Sequence, residues 1–146
     1  MAKIKKSIVI DAPVKEVFHY VEDPANIPEY WPSVVEVKDV EELPDGGYHM
    51  TAVYKMAGVR LDMESTCTEY VANRRTVYES EGGVSSTLTW TYEVEDSGTK
   101  VTIENDYTVN VPVLRKLAES FLTSINENEA DAILANVKAK MEAGEE

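Results

Sequence analysis

Cysteine is all but missing from this chain. Cys67 stands alone among 146 residues, which excludes an internal disulfide and agrees with a reducing, cytoplasmic compartment. Histidine is nearly as scarce, with only His19 and His49. Basic residues are outnumbered, 14 Lys and Arg against 27 Asp and Glu, for a formal charge of −13. That balance disfavours nucleic acid, whose binding depends on phosphate neutralisation by cations, and equally disfavours docking on anionic lipid. No long apolar run opens the chain: after Lys3, Lys5 and Lys6, only Ile8, Val9 and Ile10 precede Asp11. Such a run is too short for a signal-peptide core or a membrane span, so no stable membrane insertion is expected. The glycine pairs Gly46-Gly47 and Gly82-Gly83 precede strand patterns and not helices, so they read as turns and not as phosphate loops. Repeats, linkers and low-complexity segments are also lacking. The length fits one domain over residues 1–146 that buries roughly 70% of its unfolded surface, enough for a core that also encloses a pocket.

What is present begins with a short strand pattern that runs through Asp11-Ala12-Pro13 into a helix. Proline at a first helical turn loses no hydrogen bond and brings its φ already set. Val14, Val17, Phe18 and Val21 then follow at the spacing that puts four apolar side chains on one helical face. Asp23-Pro24 opens a second short helix that ends at Tyr30-Trp31-Pro32. A strand over about 33–40 leads to the turn Leu43-Pro44-Asp45-Gly46-Gly47. Alternation then dominates: Tyr48, Met50, Ala52, Tyr54 and Met56 point inward against His49, Thr51, Val53 and Lys55. Val59, Leu61, Met63, Ser65 and Cys67 repeat the pattern. Beyond a strand near 76–80 come Leu88, Trp90, Tyr92 and Val94, and then Val101, Ile103, Asn105, Tyr107 and Val109. Consecutive short strands joined by glycine turns argue for an antiparallel sheet and not for βαβ units. A long helical pattern from about Pro112 to Ala143, roughly 45 Å at about 1.5 Å per residue, carries Leu114, Leu117, Ala118, Phe121, Ile125, Ala132 and Ala139 on one face.

The strand, the Asp-Ala-Pro helix start, the Asp-Pro and the Tyr-Trp-Pro, followed by strands and a long last helix, resemble the SRPBCC superfamily over nearly the whole chain. This is the START-like, Bet v 1-like helix-grip group, and the similarity points most closely to its polyketide cyclase/dehydrase and lipid-transport branch. The resemblance implies an α+β fold: a curved antiparallel sheet wrapped around a long C-terminal helix, with two short helices after the first strand. It also implies a cavity between sheet and helix, and not a particular reaction, because members of the group include carriers, aromatase/cyclases, receptors and co-chaperones.

Which chemistry the cavity holds is a matter of residues. On a helical wheel of about 100° per residue, His19 lies opposite the apolar stripe. His49 alternates with inward Tyr48 and Met50, so both histidines are expected to face water, which removes the simplest hydrolytic mechanisms and a histidine metal site. Cys67 falls inward with no adjacent base or cation and reads as a small buried hydrophobe. The carboxylates show no pairing: Asp62 and Glu64 face outward, and Glu142, Glu145 and Glu146 read as a fraying terminus. No catalytic residue, metal ligand or cofactor is assigned. What remains is a set of polar-tipped groups on inward faces: Tyr54, Trp90, Tyr92, Asn105 and Tyr107, with Asn128 in the apolar stripe of the last helix. Buried polar tips need partners. With Met50 and Met63 from the strands and Leu117, Phe121 and Ile125 from the helix, they form the candidate ligand-binding set for a small hydrophobic, lipid-like or ring-containing molecule. A cyclase/aromatase-like enzyme using the same cavity and a co-chaperone or accessory interaction module are the alternative readings; no protein partner is identified.

Overall fold

The computed structural model describes residues 2–56, 59–82, 84–109 and 119–143. Seven strands form one sheet: β1 (Ala2–Ile10), β2 (Val34–Glu42), β3 (Tyr48–Met56), β4 (Val59–Val71), β5 (Arg75–Gly82), β6 (Val84–Glu95) and β7 (Gly98–Val109). Their order is β1-β7-β6-β5-β4-β3-β2, and every neighbouring pair is antiparallel. The strands from β2 to β7 therefore run as a meander, and only β1 joins from a distance, pairing Ala2 with Tyr107 and Ile10 with Thr99. Register shifts near Val34/Glu36, Lys38/Glu41 and Cys67/Glu69 mark bulges, which bend strands and increase twist. Asp39, in the second of these, has a φ of 54°. This is the α+β helix-grip arrangement.

Helix α1 (Val14–Glu22) starts directly after Pro13 and buries Val17, Phe18 and Val21, as the spacing predicts. Asp23 accepts from the Ala25 amide at 3.0 Å and caps a single 3-10 turn (Pro24–Asn26), which leads into α2 (Ile27–Tyr30). The Tyr30 hydroxyl donates to the Val21 carbonyl at 2.8 Å and locks the two helices together. Thr99 Oγ1 donates to the Ala12 carbonyl at 2.7 Å, tying the start of β7 to the entry of α1. Gly47, at φ 79°, is buried against the Cys67 side chain where a Cβ would collide, so its place in the β2–β3 turn needs glycine twice over.

The closing helix α3 (Glu119–Ala143) packs on β1, α1 and α2. Its expected beginning near Pro112 lies outside the described residues. Its buried stripe is Ala130, Ile133, Leu134 and Val137, with Met141 half-buried at its end. This corrects the expected face: Ala132 is only half-buried and Ala139 is exposed. Alanine is at home on any face of a helix, so the larger residues at the i, i+3, i+4, i+7 spacing decide the rotation. Polar contacts hold the helix in place. Asn136 donates to the Tyr30 carbonyl at 3.1 Å, and Lys138 donates to the Val9 carbonyl at 2.9 Å. Glu142, expected in a fraying end, accepts from the Asp11 amide at 2.9 Å and from Lys138 at 2.7 Å.

Two strand expectations also change. Val53, placed on the solvent face by alternation, is fully buried opposite Glu36 beside the first bulge. Val94, placed inward, is 70% exposed at the end of β6, beside the β6–β7 turn.

Candidate functional site

Sheet and helices do not close completely on each other. A cavity of about 80 Å³ remains between them, several times the about 10–15 Å³ that one water molecule requires. Strands β3 and β4 supply Met50, Ala52, Tyr54 and Met63. Strands β5, β6 and β7 supply Tyr78, Ser80, Leu88, Trp90, Asn105 and Tyr107. The helical side is closed by Val21, Glu22, Ile27, Tyr30, Trp31 and, from α3, Glu129. A smaller extension of about 20 Å³ runs toward β1 beneath Ala130 and Ile133.

Of the eleven residues singled out from sequence, Met50, Tyr54, Met63, Trp90, Asn105 and Tyr107 meet at this cavity. Strand alternation accounts for this: each sits at an inward position of its strand. Tyr92 is buried one layer away, stacked on Trp90 at 6.3 Å and edge-on to Phe18 at 5.1 Å. Leu117 lies outside the described residues, as do the side chains of Phe121 and Ile125. Asn128 is exposed and is not part of the cavity. The physical reason is the helix rotation just described: Asn128 precedes Ala130 by two residues, about 200° around the axis, while Glu129 is one turn before Ile133 and faces the sheet.

Glu22 and Glu129 are the principal residues that sequence reasoning missed. Both had a readable signal, since Glu22 stands four residues after Phe18 and Glu129 four before Ile133, at the edges of the two apolar stripes. Glu22 Oε2 accepts from the Thr76 hydroxyl and from the Tyr92 hydroxyl, each at 2.8 Å. Burial pushes the Glu22 carboxyl above its ordinary value, against the opposing pull of those two hydrogen bonds. Burial, and next the Glu22 charge, push the Tyr92 phenol well up, so at neutral pH it remains a donor. Glu129 accepts from both the Ser33 amide, at 2.8 Å, and the Ser33 hydroxyl. Burial, followed by Glu129, raises the Tyr54 phenol.

Three further polar atoms around this space have no hydrogen-bond partner among the described residues: Trp31 Nε1, Asn105 Oδ1 and the Tyr107 hydroxyl. The serines, by contrast, satisfy one another, Ser65 Oγ lying 2.6 Å from Ser80 Oγ. Trp31 stacks edge-on against Tyr54 with ring centres 5.9 Å apart, and Tyr30 does the same to Trp90 at 6.1 Å. These aromatic walls are therefore held by one another, and the unpartnered Trp31 Nε1 is carried by a ring with little freedom to turn.

Neither histidine reaches the cavity. His19 is exposed, and His49 is half-buried with Nδ1 2.8 Å from Thr66 Oγ1, beside Glu64. The Cys67 thiol is half-buried, donates to the Glu69 carbonyl at 3.3 Å, and is raised by burial. Among the described residues no three His, Cys, Asp or Glu side chains are grouped to hold a metal ion. No helix among them is long and apolar enough to cross a membrane.

A family model described as polyketide cyclase/dehydrase and lipid transport matches residues 1–142. The chain belongs to that family. No curated protein matches the chain. Among solved structures, the chain is similar to a Thermus thermophilus protein at 18% identity and a TM-score of 0.82, covering 99% of this chain and 100% of that one. A START superfamily protein from Mycobacterium smegmatis matches at 11% identity and a TM-score of 0.81, over 97% of each chain. The Zhui aromatase/cyclase of a Streptomyces species matches at 16% identity and a TM-score of 0.81, over 97% of this chain and 93% of that one. At these identities the likeness is one of fold, and the family membership supports a ligand-binding or cyclase role.

Proposed function

We propose that this protein binds and carries a small, mostly apolar ring-containing molecule that bears a few polar atoms, in the cavity between sheet and helices. The observation that carries this reading is the trio Trp31 Nε1, Asn105 Oδ1 and Tyr107 hydroxyl, buried beside apolar walls without partners among the described residues. Each such group costs about 1–3 kcal/mol if it stays unsatisfied, and a ligand with matching acceptors and donors removes that cost on binding. Met50 and Met63 add adaptable apolar surface. The experiment is native mass spectrometry of the protein purified from its own host, followed by titration of the released ligand into wild type and Tyr107→Phe. A retained small molecule is expected. Tyr107→Phe is expected to keep or slightly raise the stability of the free protein while weakening ligand binding about fivefold, the worth of one hydrogen bond. Unchanged binding together with a large loss of stability would assign the hydroxyl to structure.

A cyclase-like reaction is the second reading, and Glu22 is the observation that favours it. A carboxyl that burial moves toward neutrality, fixed by two donors at a cavity wall, can pass a proton to or from a substrate oxygen as a ring closes. Binding retained but turnover lost in Glu22→Gln would distinguish this reading from carriage.

A further inference from the structure

Among the described residues, the charge that lines the cavity has one sign. Its described lining includes two carboxyl groups, Glu22 and Glu129, and no Lys, Arg or His. The donors that reach it, Trp31 Nε1 and the Tyr107 hydroxyl, are neutral. Around it the whole chain carries a formal charge of −13. A ligand carboxylate, sulfonate or phosphate entering this space would shed its hydration and find no cation among the described lining residues to replace it. It would also face Glu129, and either face Glu22 as an anion or require Glu22 to take up a proton. An uncharged oxygen has no such difficulty, since it can accept from Trp31 or Tyr107, and a hydroxyl can donate to Asn105 Oδ1 or to a carboxylate oxygen.

We infer that the cavity selects by charge, taking uncharged oxygenated ring compounds and rejecting the same skeleton once it bears an anionic group, so that free fatty acids and phosphate-bearing lipids are excluded as cargo. This inference rests on the proposed binding role of the cavity and adds the ligand class. It also gives Glu22 and Glu129 a task that holds whether or not a reaction follows.

The test uses a matched pair of probes, 2-naphthol and 2-naphthoate, titrated by calorimetry at neutral pH and physiological salt into the wild-type protein and into Glu22→Gln, Glu129→Gln and the double variant. Naphthol is expected to bind at least about tenfold more tightly than naphthoate. The amide substitutions keep shape and an accepting oxygen, so they are expected to narrow that ratio about threefold or more, mainly by improving naphthoate. Circular dichroism identifies any variant that fails to fold, and the wild-type ratio stands without the variants. Equal affinity for both probes would overturn the charge selection and leave the cavity as a binding site. Binding of neither probe would overturn the cavity reading, and this inference with it.

Discussion

At the residue scale the least expected feature is Glu22. A carboxyl raised by burial holds its proton more tightly in the folded than in the unfolded protein. Between the ordinary carboxylate range and that raised value the folded state therefore binds more protons, so the Glu22 contribution to stability is present at low pH and is lost as pH rises through the window. Glu104 and Glu142 act with the opposite sign, each lowered first by a hydrogen bond from lysine, Lys3 and Lys138 respectively. The informative quantity is consequently the difference between wild type and Glu22→Gln. In urea melts from pH 4 to 8, the variant is expected to gain stability relative to wild type as pH rises. A difference that stays flat with pH would mean that the Glu22 carboxyl titrates alike in both states.

At the scale of elements, the rotation of α3 decides which side chains meet the sheet. Ile133 and Val137 are 2% and 0% exposed, whereas Asn128 lies on the solvent side. Ile133→Ala is accordingly expected to cost about 2–5 kcal/mol, the range for removing a buried branched side chain and leaving a cavity. Asn128→Leu is expected to change stability by less than about 0.5 kcal/mol and to leave probe binding untouched. Urea midpoints with unchanged m-values check both numbers. A costly Asn128→Leu would show that the helix sits turned from the orientation described. The paired positions were only partly legible beforehand. Val17, Phe18 and Val21 are large and regularly spaced, so α1 was readable from sequence. The last helix offered alanines on several faces and a carboxylate at the stripe edge, and neither residue type commits a helix to one rotation.

At the scale of the whole molecule, charge is the dominant surface property. The ion pairs that exist, such as Lys3 with Glu104 at 2.9 Å and Arg75 with Glu69 at 3.3 Å, involve exposed or partly exposed partners and contribute little individually. Five carboxylates, Asp39, Asp62, Glu64, Glu79 and Glu81, gather on one outer groove of the sheet. With a formal charge of −13, mutual repulsion is expected to outweigh the pairs, so raising sodium chloride from about 0.01 to 0.15 M should raise the melting temperature. A fall in Tm over that range would mean that the surface pairs count for more than the net charge. The sheet has a second global consequence. Joining β1 to β7 closes a loop of about two thirds of the chain, and such distant pairing makes folding slow relative to a helical protein of this size.

What the sequence determined by itself was whatever repeats locally. Alternation along β3, β4, β6 and β7 placed Met50, Tyr54, Met63, Trp90, Asn105 and Tyr107 on one face, because a strand turns each successive side chain to the opposite side. Proline and aspartate set the start of α1 and of the turn that follows it, because they act on their own backbone. The tertiary structure decided what depends on meeting. That Trp31 stands over Tyr54, that Glu22 receives two hydroxyls from β5 and β6, and that Glu129 rather than Asn128 faces the cavity all follow from packing between elements far apart in the chain. Bulges in β2 and β4 shift register by single residues, and a single residue is enough to exchange the faces of a strand.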